Sequence, residues 1–265
     1  MYTPKDAHNL STAIYRQIIF GLQGEPGSGK TFSALTFPNP VVLDFDNGLV
    51  AHKGRDIIVV PFHDSNFCIE KLGLKYQEAY VAQRSVRVLN KRDALLIWLT
   101  TEGIQLTEEQ TLIVDSWTSV QDAFDKQTEI EPVRNREGKI DEFAFWERKI
   151  DYARDLLEAL TSLRCHVVVT FHESWERDKN TGKMLDRYQP LMQGKFVTKL
   201  KNYFTDFFRQ VVIERREPAA ADGTPGNYIG ADYFWQIKSD DKFLAKTRMT
   251  RNELLISATY NSFTY

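Results

Sequence analysis

Apolar residues along the chain gather in short runs set between polar stretches of helical period. Gln17–Gln23 (QIIFGLQ), Val41–Asp46 (VVLDFD), Ile57–Pro61 (IIVVP), Thr111–Asp115 (TLIVD) and His166–Phe171 (HVVVTF) are strand-sized and nearly unbroken in hydrophobicity. Such runs predict strands covered on both faces, the condition of a parallel sheet. A helix is expected from Lys30 to about Thr36, stopped by Phe37-Pro38-Asn39-Pro40. Residues 65–105 read as helical with a loop, the better part being Lys91–Thr101. Asp141–Leu163 gives the clearest helix, with Phe143, Trp146, Ile150, Ala153, Leu157 and Leu160 as a stripe expected to pack on the sheet. Phe207–Ile213 and Asp232–Lys238 alternate more, which predicts antiparallel strands at the C-terminal end. His172–Gln193 is polar, turns at Lys179–Gly182, and is too long for an ordinary connection. Glu217–Gly230 reads as a mobile loop. No repeat or linker divides the chain, so a single α/β domain over 1–265 is expected, with helices on both faces of a mainly parallel sheet.

Composition narrows the class without changing that picture. Over 265 residues, 42% are hydrophobic and 26% charged, the average of soluble globular proteins. No apolar run approaches the ~18 residues of a membrane helix, and the N-terminal MYTPKDAHNL lacks a secretion signal. Two cysteines, Cys68 and Cys165, make neither a disulfide framework nor a four-ligand zinc site. A cytoplasmic protein is the expectation. The net charge of −2 hides an asymmetry: residues 195–251 carry a net of +4 on an otherwise acidic chain. That basic third is either a solvated face or one that meets phosphates.

Gly24-Glu25-Pro26-Gly27-Ser28-Gly29-Lys30-Thr31 matches G-x-x-x-x-G-K-[ST] at every position. By composition the pattern arises about once in 3 × 10⁴ positions, so chance is a poor explanation in one chain. The spacing has a chemical reason. Glycines let the backbone curl with its N–H groups inward around the β-phosphate, and Lys30 reaches the β- and γ-phosphates as a point charge. The Thr31 hydroxyl is suited to ligate Mg²⁺, and the helix that follows offers its positive end to an anion. With Phe32 next in line, this predicts a nucleoside-triphosphate site taking ATP and Mg²⁺.

A second acid is needed for the metal, and Asp115 at the end of TLIVD has the right placement, although a strand-end Asp also serves as a cap. Ser116 rather than Glu follows it, so the water-activating carboxylate must come from elsewhere. Asp44 and Asp46 alternate to one side of VVLDFD, and Asp46, nearer the carboxyl end where open α/β sheets bind ligands, is the candidate general base or water-orienting group. Thr170 and His172 alternate at the end of HVVVTF, and His172 is the candidate γ-phosphate sensor. The remaining histidines, His8, His52, His63 and His166, show no metal-ligand spacing.

GEPGSGKT, FPNPVVLDFDNGL, TLIVDSWT, HVVVTFHES, a GKF…KLKNYF segment and a terminal AKTR occur in an order that resembles the compact, phage-encoded RecA-like ATPases over roughly residues 15–250. The resemblance implies a RecA-like core, with Asp46 standing where the family carries its catalytic acid and where RecA itself has Glu. It implies a homo-oligomeric ring or filament in the cytoplasm of an infected bacterium, acting beside a phage single-strand-binding protein or recombinase. It also implies ATP held between subunits, with Lys246 and Arg248 of AKTR completing the neighbour's site and Lys199 and Lys201 in reserve.

The loops after TLIVD and HVVVTF are the expected contacts for single-stranded DNA: Arg134, Arg136 and Lys139 in the first, and Trp175, Arg177, Lys179, Lys183, Arg187 and Tyr188 in the second. Cations interleaved with aromatic rings hold phosphates by charge and bases by stacking. Two other readings stay open at this point, a P-loop kinase of a nucleotide or small metabolite and a non-catalytic nucleotide-binding structural module.

Overall fold

The computed structural model describes residues 17–81, 84–130, 132–177, 181, 183–192, 196–218, 226–251 and 253–263. Its centre is a nine-stranded sheet. Strand β1 (Ile19–Gly24) leads through the glycine-rich turn into the short helix α1 (Lys30–Ala34), and β2 (Pro40–Asp44) and β3 (Ile58–Val60) follow. Helix α2 (Ser65–Glu70) precedes an antiparallel pair, β4 (Tyr76–Val81) and β5 (Arg84–Leu89), that stands apart from the main sheet. Helix α3 (Lys91–Thr101) leads to β6 (Thr111–Asp115), helices α4 (Trp117–Ile130) and α5 (Glu142–Thr161), and β7 (His166–Arg177). Then come β8 (Met184–Pro190), the single turn α6 (Val197–Leu200), β9 (Asp206–Arg216), β10 (Tyr228–Gln236) and β11 (Leu255–Ser257).

The order across the sheet is β11-β10-β9-β1-β7-β6-β2-β3. The six strands from β9 to β3 are parallel, and β10 and β11 are antiparallel. Strand β7 is inserted between β1 and β6, which makes this a RecA-like P-loop NTPase fold with antiparallel strands at its C-terminal end. The registers Gly24↔His172 and Asp44↔Asp115 bring the ends of four parallel strands to one edge.

Two apolar layers cover the sheet. One joins Leu43, Leu112, Val114, Val167 and Val169 to Trp98, Trp117, Leu156 and Leu160 of the helices. The other gathers Phe20, Val42, Ile113, Val168, Phe208 and Trp235. Alternate residues of β6 and β7 therefore enter opposite cores, as two-sided burial requires. Gly21 has no side chain because a Cβ there would stand 2.3 Å from the Phe207 ring of the neighbouring strand. Helices α3 and α5 begin on Asn90 and Asp141, whose side chains accept the backbone N–H groups of Asp93 and Ala144.

Three expectations are corrected. Residues 76–89, read within a helical stretch, form the β4–β5 pair, in antiparallel register from Tyr76↔Leu89 to Val81↔Arg84. The polar stretch after His172 is largely no loop: β7 runs on to Arg177 and pairs antiparallel with β8, setting Trp175 opposite Tyr188. The α5 stripe packs only in its C-terminal part, where Ala153, Leu157 and Leu160 are buried, while Phe143 and Trp146 are 80% and 47% exposed. The mobile loop read at Glu217–Gly230 falls largely outside the described residues, and β10 begins within it at Tyr228.

The cores make a graded forecast. Phe20 touches the rings of Phe37, Phe208, Trp235 and Phe263 at centroid distances of 5.8, 5.1, 5.0 and 5.2 Å. Phe20→Ala is expected to cost about 3–5 kcal/mol in urea-induced unfolding, and Phe143→Ser less than about 0.5 kcal/mol.

Candidate nucleotide site

The glycine-rich turn leaves β1 at the sheet's carboxyl edge. Gly27 and Gly29 have φ of 77° and 83°, in the left-handed region that favours glycine. Gly29 meets a second constraint, since a Cβ on it would stand 2.6 Å from the Tyr233 ring. Lys30 opens α1, is 6% exposed, and donates to the carbonyls of Gly24 at 2.9 Å and Glu25 at 2.7 Å. Burial lowers its ammonium pKa, against the pull of Asp115, Glu173, Asp46 and Glu25. Helix α1 is tied down by Ser33, whose hydroxyl donates to Gln210 on β9 at 2.9 Å.

Asp115 ends β6 and is 5% exposed. One carboxylate oxygen accepts the Thr31 hydroxyl at 2.8 Å and the other the Thr170 hydroxyl at 2.6 Å. Burial raises its pKa, those two hydrogen bonds lower it, and the nearby charges of Asp46 and Asp44 raise it further. The Thr31 hydroxyl and the Asp115 carboxylate thus stand together where Mg²⁺ would need them, and this donor pair fits an ion that keeps most of its shell as water and phosphate. Among the described residues no cluster of three His, Cys, Asp or Glu could form a protein-only metal cage.

The two aspartates of VVLDFD separate in role. Asp44 is buried, accepts the backbone N–H groups of Asp46 and Gly48, and lies 3.3 Å from His63 Nδ1. Asp46 faces the site, where one oxygen accepts the Ser119 hydroxyl and the other lies 3.5 Å from His172 Nε2. Burial pushes the Asp46 carboxyl up, but hydrogen bonds from His172 and Ser119, with Ser116 and the His172 charge adding to them, outweigh it and bring the group down to about 2. His172 sits beside Gly24 in the sheet. Its Nδ1 and the Ser28 hydroxyl are buried with no hydrogen-bond partner among the described residues, two polar atoms that a bound phosphate or water can satisfy. Thr170, paired by alternation with His172, turns to Asp115 instead of the phosphate position.

Glu173, Arg209, Ser119 and Tyr233 are not singled out by the sequence, and they join residues that are. Glu173 forms a two-pronged pair with Arg209 at 2.9 and 3.0 Å and accepts from Gln23 at 3.3 Å. The Arg209 guanidinium lies 3.6 Å from the centre of the Tyr188 ring, which in turn meets Trp175 at 4.3 Å. Ser119 is visible in retrospect, one helical turn after Ser116 in SWTS. Phe32 is half-exposed, stacks on Tyr233 at 5.7 Å, and carries the Arg55 guanidinium 4.7 Å from its ring centre.

Other expected site residues lie elsewhere. Lys246 and Arg248 flank the start of β9, at the end of the sheet opposite their own phosphate loop. The Lys246 ammonium donates to the Lys201 carbonyl at 3.0 Å, and Arg248 N–H donates to Asp206 at 2.9 Å. Lys201 is not free to reach a neighbour, because its ammonium lies under the Phe207 and Phe243 rings and donates to the Leu244 carbonyl; burial lowers its pKa to about 8. Lys199 is exposed on α6. Arg134, Arg136 and Lys139 are exposed in a small turn after α4, so the fourteen residues of that helix separate them from Asp115. Lys183 and Arg187 are exposed at the β8 side of the hairpin. The Arg177 side chain, Lys179 and His8 lie outside the described residues. His166 is buried and bonded to the Ile18 N–H at 3.1 Å.

A phosphate loop on β1, an acid ending β6 and a strand inserted between them define a P-loop nucleotide-binding protein. The family model for the AAA domain (AAA_24) matches residues 16–249, and the chain belongs to that family. No curated protein matches it. Among solved structures it is similar to the flagellar accessory protein FlaH from Methanocaldococcus jannaschii, at 10% identity and a TM-score of 0.35 over 82% of this chain and 84% of that one, a likeness too distant to support any inference. No helix among the described residues is long and apolar enough to cross a membrane.

The depressed Asp46 carboxyl has a consequence for acid stability. A carboxylate whose folded pKa lies below its ordinary value of 3.8 stabilises the fold above that pH and loses the contribution as pH falls toward about 2. The stability difference between wild type and Asp46→Asn is therefore expected to be constant above about pH 5 and to shrink between about pH 4 and 2, measured by urea melts across that range.

Proposed function

We propose that the protein is a Mg²⁺-dependent ATPase that couples ATP hydrolysis to the binding of single-stranded DNA, as a homo-oligomeric RecA-like enzyme of phage recombination or replication. The observation that carries the ATPase half is the convergence of Lys30, Thr31, Asp115, Asp46 and His172 on one sheet edge.

In this reading the loop of Gly24–Thr31 cradles the β-phosphate, and Lys30 exchanges the carbonyls of Gly24 and Glu25 for phosphate oxygens. Thr31 and Asp115 hold the cation, which when bound neutralises charge developing on the β- and γ-phosphates. The exposed pair Phe32 and Tyr233 offers ring faces to the base. Asp46 orients the attacking water, and His172, with one nitrogen toward Asp46 and the other unpartnered, contacts the γ-phosphate.

The DNA half is supported by the hairpin that continues β7. Trp175 is 37% exposed, and Lys183 and Arg187 are exposed nearby. Tyr188 is enclosed between Trp175 and Arg209, so Trp175 supplies the stacking face and Tyr188 backs it. Because β7 carries both His172 and Trp175, the occupied nucleotide site and the strand-binding face share one rigid element.

Two measurements test the two halves separately. Lys30→Ala is expected to lower ATP hydrolysis by at least about 10²-fold and to weaken triphosphate binding. Asp46→Asn should keep nucleotide binding within a few-fold while losing about 10²–10⁴ in turnover; wild-type turnover in either variant removes the catalytic assignment.

For the DNA half, affinity for an oligo-dT strand should rise with an ATP analogue and fall linearly on a log–log salt plot, with a slope of about −0.7 per phosphate neutralised. Trp175→Ala is expected to cost about 1–3 kcal/mol of that affinity, read by fluorescence anisotropy, and to reduce DNA stimulation of the ATPase. Unchanged affinity in Trp175→Ala means that the hairpin does not bind the strand.

A further inference from the structure

Ser119, which donates to Asp46, also lines a cavity of about 340 Å³. Its walls come from α4 (Ser119, Asp122, Lys126), from the β4–β5 pair (Tyr76, Arg87) and from Lys91 at the start of α3. The volume lies within the range of small-ligand sites.

Three features give the cavity a chemical character. It is cationic: Arg87, Lys91 and Lys126 line it against a single acid, Asp122. Lys91 is held in place by the Phe62 carbonyl at 2.5 Å, and burial lowers its pKa, with the Lys126 charge adding to that effect and Cys68 and Asp64 opposing it. Arg87 stands opposite Glu78 in the strand pair, yet neither Arg87 nor Lys126 forms an ion pair with any described acid.

The second feature is a planar ring at the wall. Tyr76 is exposed, and the Arg87 guanidinium lies 5.1 Å from its centre, so ring and cation present one surface. The third is connection to the reacting edge. Ser119 lines the cavity and donates its hydroxyl to Asp46, so a ligand that recruits that hydroxyl alters the carboxylate directly.

We infer that this cavity is a second nucleotide-unit site, taking a phosphate ester with its attached base: cations hold the phosphate, and Tyr76 stacks on the base. The source of that unit is either a nucleotide within a single strand or a free nucleotide. The first deepens the DNA reading proposed above and rests on it; the second does not. The site is distinct from the hairpin face, because none of its lining residues belongs to β7 or β8.

The test uses the full chain with the phosphate loop saturated by Mg²⁺ and a non-hydrolysable ATP analogue. Oligo-dT binding is followed by anisotropy over a salt series, and thymidine monophosphate binding by calorimetry, for wild type, Arg87→Ala/Lys126→Ala and Tyr76→Ala. The substituted side chains are exposed, and an unchanged melting temperature checks the fold; Lys126→Gln alone replaces the double variant if it melts early. If a strand supplies the unit, the double variant loses about 0.7 from the log–log salt slope, the share of the one phosphate held, and oligo-dT binds at least about tenfold more weakly. A free nucleotide as the source leaves oligo-dT binding unchanged while monophosphate binding, present in wild type, disappears in the double variant and weakens in Tyr76→Ala. No change in either binding, or no binding of either probe by wild type, overturns the inference. Should wild type bind monophosphate but no oligo-dT, the DNA reading fails while the cavity assignment stands on the calorimetry alone.

Discussion

A buried carboxylate sets the constraints on this fold. Asp115 is almost out of contact with water, and an unpaired charge in that position costs several kcal/mol. Two hydroxyls offset part of that cost, one from Thr31 at the start of α1 and one from Thr170 in β7. Each oxygen has one donor from a different element, so the position of Asp115 fixes α1, β6 and β7 against one another. The strand order follows the same demand: only with β7 between β1 and β6 does a β7 residue reach the end of β6 while the next, His172, lies beside Gly24. The hydroxyls do not complete the compensation, since burial and the Asp46 and Asp44 charges keep the Asp115 pKa raised. The edge carries excess negative potential around a single buried ammonium, Lys30, which is the condition under which a divalent cation is attracted with its anionic ligand.

The hairpin beyond His172 connects this edge to the molecular surface without an intervening loop. Consecutive β7 residues alternate between tasks: Thr170 and His172 face the acids, and Glu173 takes Arg209 of β9. Arg209 in turn holds Tyr188 against Trp175. Every link is a hydrogen bond, an ion pair or a ring contact, so a displacement of His172 is resisted by a contiguous set of packed groups. Removing the Arg209 partner would leave Glu173 charged and 2% exposed in its side chain, an expensive state that explains why the pair is two-pronged.

What the sequence revealed and what it concealed divide along burial. The parallel strands were legible because they are covered on both faces and hence read as unbroken apolar runs, and Gly24–Thr31 because its chemistry dictates its spacing. Asp46 was separable from Asp44 by its place nearer the strand end, and the structure gives the physical difference: Asp44 caps the turn of Asp46 and Gly48, leaving Asp46 to face the site. Half-solvated pairs were not legible. YQEAYV, RSVRVL and the strands of the 172–190 hairpin mix polar residues into both alternations, which dilutes the period-two signal. The α5 stripe illustrates the converse, since periodicity identifies a face but not how much of it is covered: Leu157 and Leu160 are buried while Phe143 stands in solvent. AKTR at the opposite end of the sheet is a matter of three-dimensional placement that no local pattern encodes.

The Asp46 carboxyl at about 2 bears on how such a centre handles the attacking water. A base that weak takes a proton from water at a steep cost, because efficient proton transfer wants a group titrating near the working pH. In the reading proposed here, the ground-state Asp46 contributes fixed charge and an acceptor that aims the nucleophile. Its low basicity nevertheless has removable causes. Burial alone would raise the carboxyl, and the hydrogen bonds from His172 and Ser119 hold it down, with Ser116 and the His172 charge adding to them. If His172 turns to a γ-phosphate and Ser119 to a ligand in the adjoining cavity, two of the groups that lower the carboxyl leave and the weight of burial grows. In that reading the carboxylate becomes a stronger base as the neighbouring positions are filled, which ties proton transfer to occupancy without requiring any movement of the backbone.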